Sequence, residues 1–453
     1  MRTAPFPTNL RLLIPALGAL ILAGCGDARP EEPNLLLVVV DTLRADALGC
    51  YGNERPVSPR LDELASRGVR YERAYAHSSW TLPSTMSLLT GLTPDEHRVV
   101  RDRVDRARFG RLGSDVETLA ESLGKAGYAT GAIVNNTFLA PEFGFQRGFG
   151  TYDYEGALRD EHRGASETVE RALAWIEAAP EPWFLLVHVM EPHIEYGAVG
   201  EAEGRFVDRS TSPVEIPFTS LERMRRLMTR EESLDAAERR AVRGLYDEEV
   251  LSVDLALAPL LDSIDLSHDW VAVTSDHGEE FFDHGGFEHG HTLVSAVTRV
   301  PMIVAGPDVV PGVRPTIVQH DDLYQTLREL GRAPRVERTS GESLLAIAEG
   351  AERTAIMENC LYGSDMLSLV DGDHRFMLQL ETGLASVWEL DEAGVERRRL
   401  GGDELSEHAT RLGQKLEAER GNLLGTASAS GPSIPDEATF ESLRNLGYVG
   451  DEH

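Results

Sequence analysis

The sequence predicts an α/β fold: a mostly parallel central sheet flanked by helices, with a smaller antiparallel α+β subdomain at the C-terminal end. Three observations carry this expectation. Asn34 to Val40 is an unbroken apolar run ended by Asp41, the pattern of a strand buried on both faces. Similar short runs then alternate with amphipathic helical stretches, as parallel strands joined by crossover helices do. After about residue 340 the texture changes to short strand signals separated by turns.

The elements follow in order. Ser58-Pro59 opens a helix that carries Leu61, Leu64 and Ala65 on one face and stops at Gly68. Ser114-Asp115-Val116-Glu117 reads as a capping box before another helix, and Thr130 to Val134 as the next strand. A helix near 166–178 precedes the apolar strand Trp183 to Val189. The stretch Glu195 to Glu232 is polar and irregular and reads as an insertion on the substrate side. A long helical pattern covers about 233–264. Strands are expected at Trp270 to Thr274 and Met302 to Ala305, and a helix at 321–330. In the C-terminal part, strand signals fall at Thr354–Met357, Met366–Val370, Arg375–Leu380 and Ser386–Leu390. Residues 421–437, rich in Gly, Ser, Ala and Pro, read as a linker before a short helix at about 438–446.

The N-terminus reads as an address. Arg2 and Arg11 precede the apolar run Leu12 to Gly24, which is too short to span a bilayer comfortably and fits a signal-peptide core. Leu22-Ala23-Gly24-Cys25 then resembles a bacterial lipobox, with Cys25 as the lipidated mature N-terminus. The chain accordingly divides into a lipoprotein signal peptide (1–25), a tether (26–33), a catalytic domain (34–338), a C-terminal subdomain (339–400) and a helical and linker tail (401–453). This implies a bacterial envelope protein, lipid-anchored and facing the periplasm or the exterior. Of the other cysteines, Cys50 and Cys360 could pair in an oxidising compartment. No cysteine pair has zinc-ligand spacing.

The 453 residues carry 44 Lys+Arg against 75 Asp+Glu, a net charge of −31. Only Lys125 and Lys415 are lysines. So acidic a chain is no general nucleic-acid binder, because phosphate backbones need basic patches. An anionic small substrate stays open, since a bound divalent cation reverses the local potential.

Candidate chemistry lies at the strand ends. In a parallel sheet the carboxyl ends share one edge, so Asp41 and Asp276-His277 can converge there. Two carboxylates and an imidazole suit a divalent cation. Thr81, in Trp80-Thr81-Leu82-Pro83-Ser84-Thr85, reads as the N-cap of a helix, with its hydroxyl at the positive dipole end. His188 lies in the strand Trp183 to Val189 and His193 follows Pro192, and His284, His289 and His291 crowd behind Asp276-His277. They are candidate ligands, general acids or anion binders.

These segments together resemble the sulfatases of the alkaline-phosphatase superfamily. The resemblance rests on Asn34 to Asp41 with Asp46 and Gly49-Cys50-Tyr51-Gly52, on Thr81 to Thr85 through Leu88-Leu89-Thr90-Gly91, and on Val187-His188 to Pro192-His193. It continues through Ser275 to Glu279, His284-Gly285, His289-Gly290, Arg299 to Ile303 and Ser386 to Leu390. It implies an alkaline-phosphatase-like fold and an ester hydrolase whose divalent metal (Ca, Mg, Mn or Zn; one ion or two) is held by Asp41, Thr81, Asp276 and His277. His284, His289 and His291 are the candidates for further ligands of a second ion.

The departures are specific. Thr81 stands where sulfatases place the Cys or Ser that becomes formylglycine, and that conversion cannot start from Thr. Thr85 stands in place of an Arg, Leu92 in place of a Lys, and Thr42 in place of a second Asp. An unmodified Thr nucleophile resembles the phosphodiesterase and phosphoethanolamine-transferase branches and implies phosphate more than sulfate chemistry. In that reading Thr81 forms a covalent intermediate, His188 or His193 protonates the leaving oxygen, and His289 contacts a nonbridging oxygen. The partners implied are a sulfated or phosphorylated small molecule, glycan or lipid headgroup, and the membrane through the N-terminal lipid. The alternative is an impaired member that binds an anionic glycan or lipid headgroup.

Overall fold

The computed structural model describes residues 32–102, 108–158, 163–218, 220–336, 339–423 and 430–433, with Met1, Thr439, Glu441 and Leu443. The proposed signal segment with Cys25, most of the tether and most of the closing helix lie outside the described residues. An eight-stranded sheet forms the centre. Its strands in chain order are β1 (Leu35–Val40), β2 (Val69–Tyr75), β3 (Ala129–Ile133), β4 (Thr151–Asp153), β5 (Trp183–Val189), β6 (Trp270–Ser275), β7 (Met302–Ala305) and β8 (Gly312–Gln319). Their spatial order is β8-β2-β7-β6-β1-β5-β3-β4. Only β7 runs against its neighbours, β2 and β6; the other pairs are parallel.

The uninterrupted apolar run of β1 follows from its central position. Leu35, Leu37 and Val39 enter one hydrophobic cluster, and Leu36, Val38 and Val40 enter another. Successive side chains point to opposite faces, so both faces need apolar cover. On the first face α2 (Thr81–Thr90), α3 (Leu119–Lys125) and α7 (His320–Leu330) supply it. On the second face α1 (Pro59–Arg67), α4 (Ala165–Ala178) and α6 (Ala236–Asp262) do so. The result is a three-layer α/β/α sandwich.

Several local expectations are met closely: β5 and β7 have the expected bounds, and α1 runs from Ser58 as N-cap to Gly68 as C-cap. The capping box before α3 is not at Ser114 but at Thr118. Thr118 Oγ1 accepts from Glu121 N (3.1 Å) while Glu121 Oε2 accepts from Thr118 N (2.9 Å). This reciprocal pair fixes the helix start four residues later. The irregular stretch 195–232 contains α5 (Leu221–Met228) and buries Tyr196 and Phe218, whose backbones pair across an isolated bridge. Strands β2 and β8 escape the sequence pattern because they carry Arg70, Glu72, Arg73 and Arg314 on half-buried positions.

The C-terminal sheet contains β9 (Thr354–Glu358), β10 (Met366–Asp371), β11 (His374–Gln379), β12 (Ala385–Leu390) and β13 (Glu396–Arg399), all antiparallel in sequence order. Helix α8 (Gly402–Leu423) packs Leu412 and Leu416 against its Leu369, Phe376 and Val387. Part of the stretch read as a linker, Ser430–Ser433, instead pairs as a strand with Phe109–Arg111. Cys50 and Cys360 are free thiols, so the possible disulfide does not form. Among the described residues no helix is long and apolar enough to cross a membrane.

Candidate active site and metal centre

Strand register brings the candidate residues to one edge. Val40 lies level with Val189 on β5 and with Ser275 on β6, so Asp41, Met190 and Asp276 come next in the same row. On the far side Ile133 pairs with Val187, and Asn136 follows three residues later. Asp41, His188, Asp276 and His277 are fully buried.

Their contacts form one network. Asp41 Oδ2 accepts a hydrogen bond from Asn136 Nδ2 at 2.6 Å and lies 3.5 Å from His188 Nε2. Asp276 Oδ1 accepts from the backbone N–H of His277 (2.9 Å) and of Thr42 (3.3 Å). Thr42 reaches it from the left-handed region, φ +52°, a strained position for a β-branched residue. His277 Nδ1 is 2.9 Å from Gly278 O, which makes Nδ1 the donor and turns the Nε2 lone pair inward. That Nε2 lies 3.3 Å from Thr81 Oγ1, 3.4 Å from Asp276 Oδ2 and 3.8 Å from Asp41 Oδ1.

Thr81 is the first residue of α2, not its N-cap. Trp80 is the N-cap, and no side chain caps the helix there. Asn359 holds this entry in place, accepting from Trp80 Nε1 (3.1 Å) through Oδ1 and from Ser78 Oγ (2.8 Å) through its carbonyl. The Thr81 hydroxyl is therefore not spent on capping. It accepts from Asn136 Nδ2 (3.3 Å) and is left to donate to His277. At the other end of α2, Gly91 has φ +67° and lies against the Tyr324 ring, so a side chain there would be strained and would also clash.

A second cluster adjoins the first. His193, Glu288 and His289 each bring a donor atom within 4.8 Å of the others. The His289 ring lies 4.4 Å from that of His277 and 5.2 Å from that of His193, centroid to centroid. Of the three histidines crowded behind Asp276-His277, His289 alone joins the site. His284 Nε2 turns to Glu396 Oε2 (3.7 Å) and His291 Nε2 to Glu280 Oε2 (3.0 Å), so buried or half-buried carboxylates draw both away.

The electrostatics are those of a centre built around positive charge. Burial, and then the neighbouring Asp276, pushes the Asp41 carboxyl well above its ordinary range. Burial and Glu279 do the same to Glu288. Burial depresses His193 to about 3, and burial with the His277 ring nearby holds His289 well below its usual value. Crowded carboxylates resist ionising together, and crowded imidazoles resist protonation. A divalent cation relieves both. The donor atoms fit one: Asp41 Oδ1 and Asp276 Oδ2 are buried without a hydrogen-bond partner, and Asp41, His188 and Asp276 each offer an atom within 4.8 Å of the others. Oxygen and imidazole donors in this number suit a Ca, Mg, Mn or Zn ion.

Sequence reasoning missed Asn136, Glu279 and Glu288. Asn136 had a usable signal: Asn135-Asn136 directly follows a strand of the parallel sheet and so must reach the ligand edge. Glu279 and Glu288 had none, because a glutamate in an irregular loop reads as solvated until the structure shows it fully buried.

A doubly covered, mostly parallel sheet with an Asp, Asp-His and helix-borne Thr at its carboxyl edge defines an alkaline-phosphatase-like ester hydrolase. The sulfatase family model matches residues 33–332, and the chain belongs to that family. It is 25% identical over 363 residues to the Delta 4,5-hexuronate-2-O-sulfatase of Bacteroides thetaiotaomicron, covering 74% of this chain and 75% of that protein. It is 27% identical over 350 residues to human arylsulfatase A, covering 69% of this chain and 66% of that one. The fold also superposes on the phosphonate monoester hydrolase of Agrobacterium radiobacter with a TM-score of 0.69 at 18% identity, over 88% of this chain and 99% of that one.

Proposed function

We propose that this protein is a metal-dependent hydrolase of phosphate or sulfate esters, favouring phosphate, with Thr81 as a covalent nucleophile. The observation that carries the reading is the uncapped Thr81 hydroxyl, buried at the positive end of α2 and 3.3 Å from His277 Nε2. A divalent ion on Asp41, Asp276 and His277 would supply Lewis-acid charge stabilisation and lower the pKa of the hydroxyl. Thr81 Oγ1 gives up its proton to solvent and attacks phosphorus or sulfur in line; the P–O or S–O bond to the ester oxygen breaks, and that oxygen leaves with the bonding pair and takes up a proton. Water then attacks the phospho- or sulfo-threonine and restores the hydroxyl. Asn136 holds Asp41 and Thr81 in common register throughout. His188, 3.5 Å from Asp41, is drawn into the carboxylate frame. His193 and His289 serve the leaving oxygen and the nonbridging oxygens on the other side.

The test is a panel of phosphate monoesters, phosphodiesters and sulfate esters, assayed with Ca, Mg, Mn and Zn. Phosphate-ester turnover above sulfate-ester turnover is expected. Turnover of sulfate esters alone would sink the phosphoryl preference. Binding without any turnover would favour the second reading, a surface binder of an anionic glycan or lipid headgroup. Its support is that Thr85 and Leu92, both buried, bring no cation to the site. We also propose a lipid anchor at Cys25 in a bacterial envelope. Its check is metabolic labelling with palmitate, expected in the full-length protein and absent from Cys25→Ser; equal labelling of both would refute it.

A further inference from the structure

We propose that the chain carries a separate, non-catalytic binding site for a phosphate-class oxyanion, centred on Arg328 in a cavity beside the C-terminal half of α7. The site lies away from the ester chemistry and does not depend on it. Helix α7 starts at the carboxyl edge of the sheet, where His320 Nε2 lies 3.0 Å from Ser275 O. Arg328 sits in its last turn, about 12 Å further along the helix axis. By Gly331 the chain has reached Leu35, the first residue of β1, at the opposite edge.

The first support is an unbalanced charge. Five arginines are buried among the described residues: Arg44, Arg163, Arg299, Arg328 and Arg375. Four of them pair with carboxylates: Arg44 with Asp46 and Asp283, Arg163 with Asp153, Arg299 with Glu72, and Arg375 with Glu396. Arg328, only 3% exposed, pairs with none among the described residues, in a chain of net charge −31. Its Nε donates to Ser122 Oγ (3.0 Å) and its Nη1 to Gln325 Oε1 (3.1 Å), and its guanidinium lies 5.5 Å from the Tyr324 ring centroid. Its Nη2 is buried with no protein acceptor. The carboxylates around the start of α3 are already engaged, Glu117 by Lys125 and Glu121 by Arg147. A buried charge met only by neutral groups is costly, and an anion removes that cost.

The second support is the wall around this charge. Arg328 and Gln325 line a cavity of about 560 Å3 together with Glu329, Arg335, Thr339 and Ser343. Ser343 is buried, and its hydroxyl has no protein partner. The wall therefore holds a guanidinium edge and a hydroxyl, both buried and both unmatched. Arg335 adds an exposed guanidinium, which offsets the exposed carboxylate of Glu329. The remaining positive charge is that of Arg328. Gln325 Nε2 donates to Thr339 Oγ1 and so ties the later segment of chain to the helix. Donors on α7, at Arg335 and at Ser343 belong to different segments and approach from different sides. A tetrahedral oxyanion, with oxygens in every direction, suits them better than a planar carboxylate, and a guanidinium edge matches phosphate oxygens.

The test is calorimetric titration of the full chain with inorganic phosphate, run side by side on the wild type, Arg328→Met and Asp276→Asn. Asp276→Asn alters the catalytic edge and leaves the Arg328 cavity untouched. A binding event that Asp276→Asn keeps is expected, with its Kd raised at least about tenfold in Arg328→Met. Circular dichroism checks that the variants fold, and Ser343→Ala replaces Arg328→Met, with the same direction expected, if that variant does not. Acetate is the control anion. Absence of phosphate binding, or binding lost in Asp276→Asn and unchanged in Arg328→Met, overturns the site. Acetate bound as tightly as phosphate overturns its assignment to a tetrahedral oxyanion.

Discussion

Thr81→Ala is expected to lower ester turnover by at least about 10^3-fold while leaving the protein folded and able to bind metal. In the proposed mechanism the loss comes from removing the atom that forms the bond to phosphorus or sulfur. A nucleophile that acts as one part of a unit costs most of the unit's rate when removed. The stability change is small because of where Thr81 sits. It is the first residue of α2 and caps nothing, so the penalty of about 1 kcal/mol for losing an N-cap does not apply. Its two hydrogen bonds, to Asn136 and His277, are long at 3.3 Å. Their loss costs roughly 1 kcal/mol in total. Thr81→Ser keeps the hydroxyl and is expected to retain measurable turnover and a trappable covalent adduct at residue 81. Turnover, urea unfolding midpoint and adduct mass are the measurements. Wild-type turnover in Thr81→Ala would end the covalent mechanism.

The same hydroxyl shows what the sequence can and cannot convey. Asp41 and Asp276-His277 were legible because each follows a strand buried on both faces, and parallel strands share a ligand edge. Thr81 was legible as a helix start, but its cap assignment was wrong by one residue. That residue decides whether the oxygen is spent on the helix or left for chemistry. The deciding contacts come from Asn359, 278 residues away, and no local pattern encodes them. Glu279 and Glu288 lie around a short hairpin, Glu280–Phe281 with Phe287–Glu288, too short to give a readable period. The segment that follows them meets Leu361 and Tyr362 at Gly290, where Tyr362 N donates to Gly290 O. The sequence order of the motifs was enough for the family and already offered His193 and His289; that Glu288 joins them required coordinates.

Arg375→Met is expected to destabilise the protein by about 3–5 kcal/mol, the cost of leaving a buried carboxylate unpaired. Arg375 lies on β11 and is fully buried. Its Nε is 2.8 Å from Glu396 Oε1, and its Nη1 donates to Thr298 Oγ1 at 3.1 Å and to Leu293 O. Its guanidinium also lies over the Tyr75 ring, 5.5 Å from the centroid. Glu396, on β13, accepts from the backbone N–H of Ser295 at 2.8 Å and from the Ser295 hydroxyl. The pair therefore ties the C-terminal sheet to residues 293–298, the segment that follows His289 in the chain. Methionine fills the space but removes the guanidinium, leaving the Glu396 charge only the Ser295 hydrogen bonds and the more distant His284 ring. In Arg375→Met/Glu396→Gln the stranded charge is gone, so the double variant should be more stable than Arg375→Met alone, although one wild-type hydrogen-bond set is still lost. Urea unfolding of wild type, both single variants and the double variant measures the coupling directly. A double variant as unstable as the sum of the singles would show that packing, not the buried charge pair, joins the C-terminal sheet to the loop behind the active site.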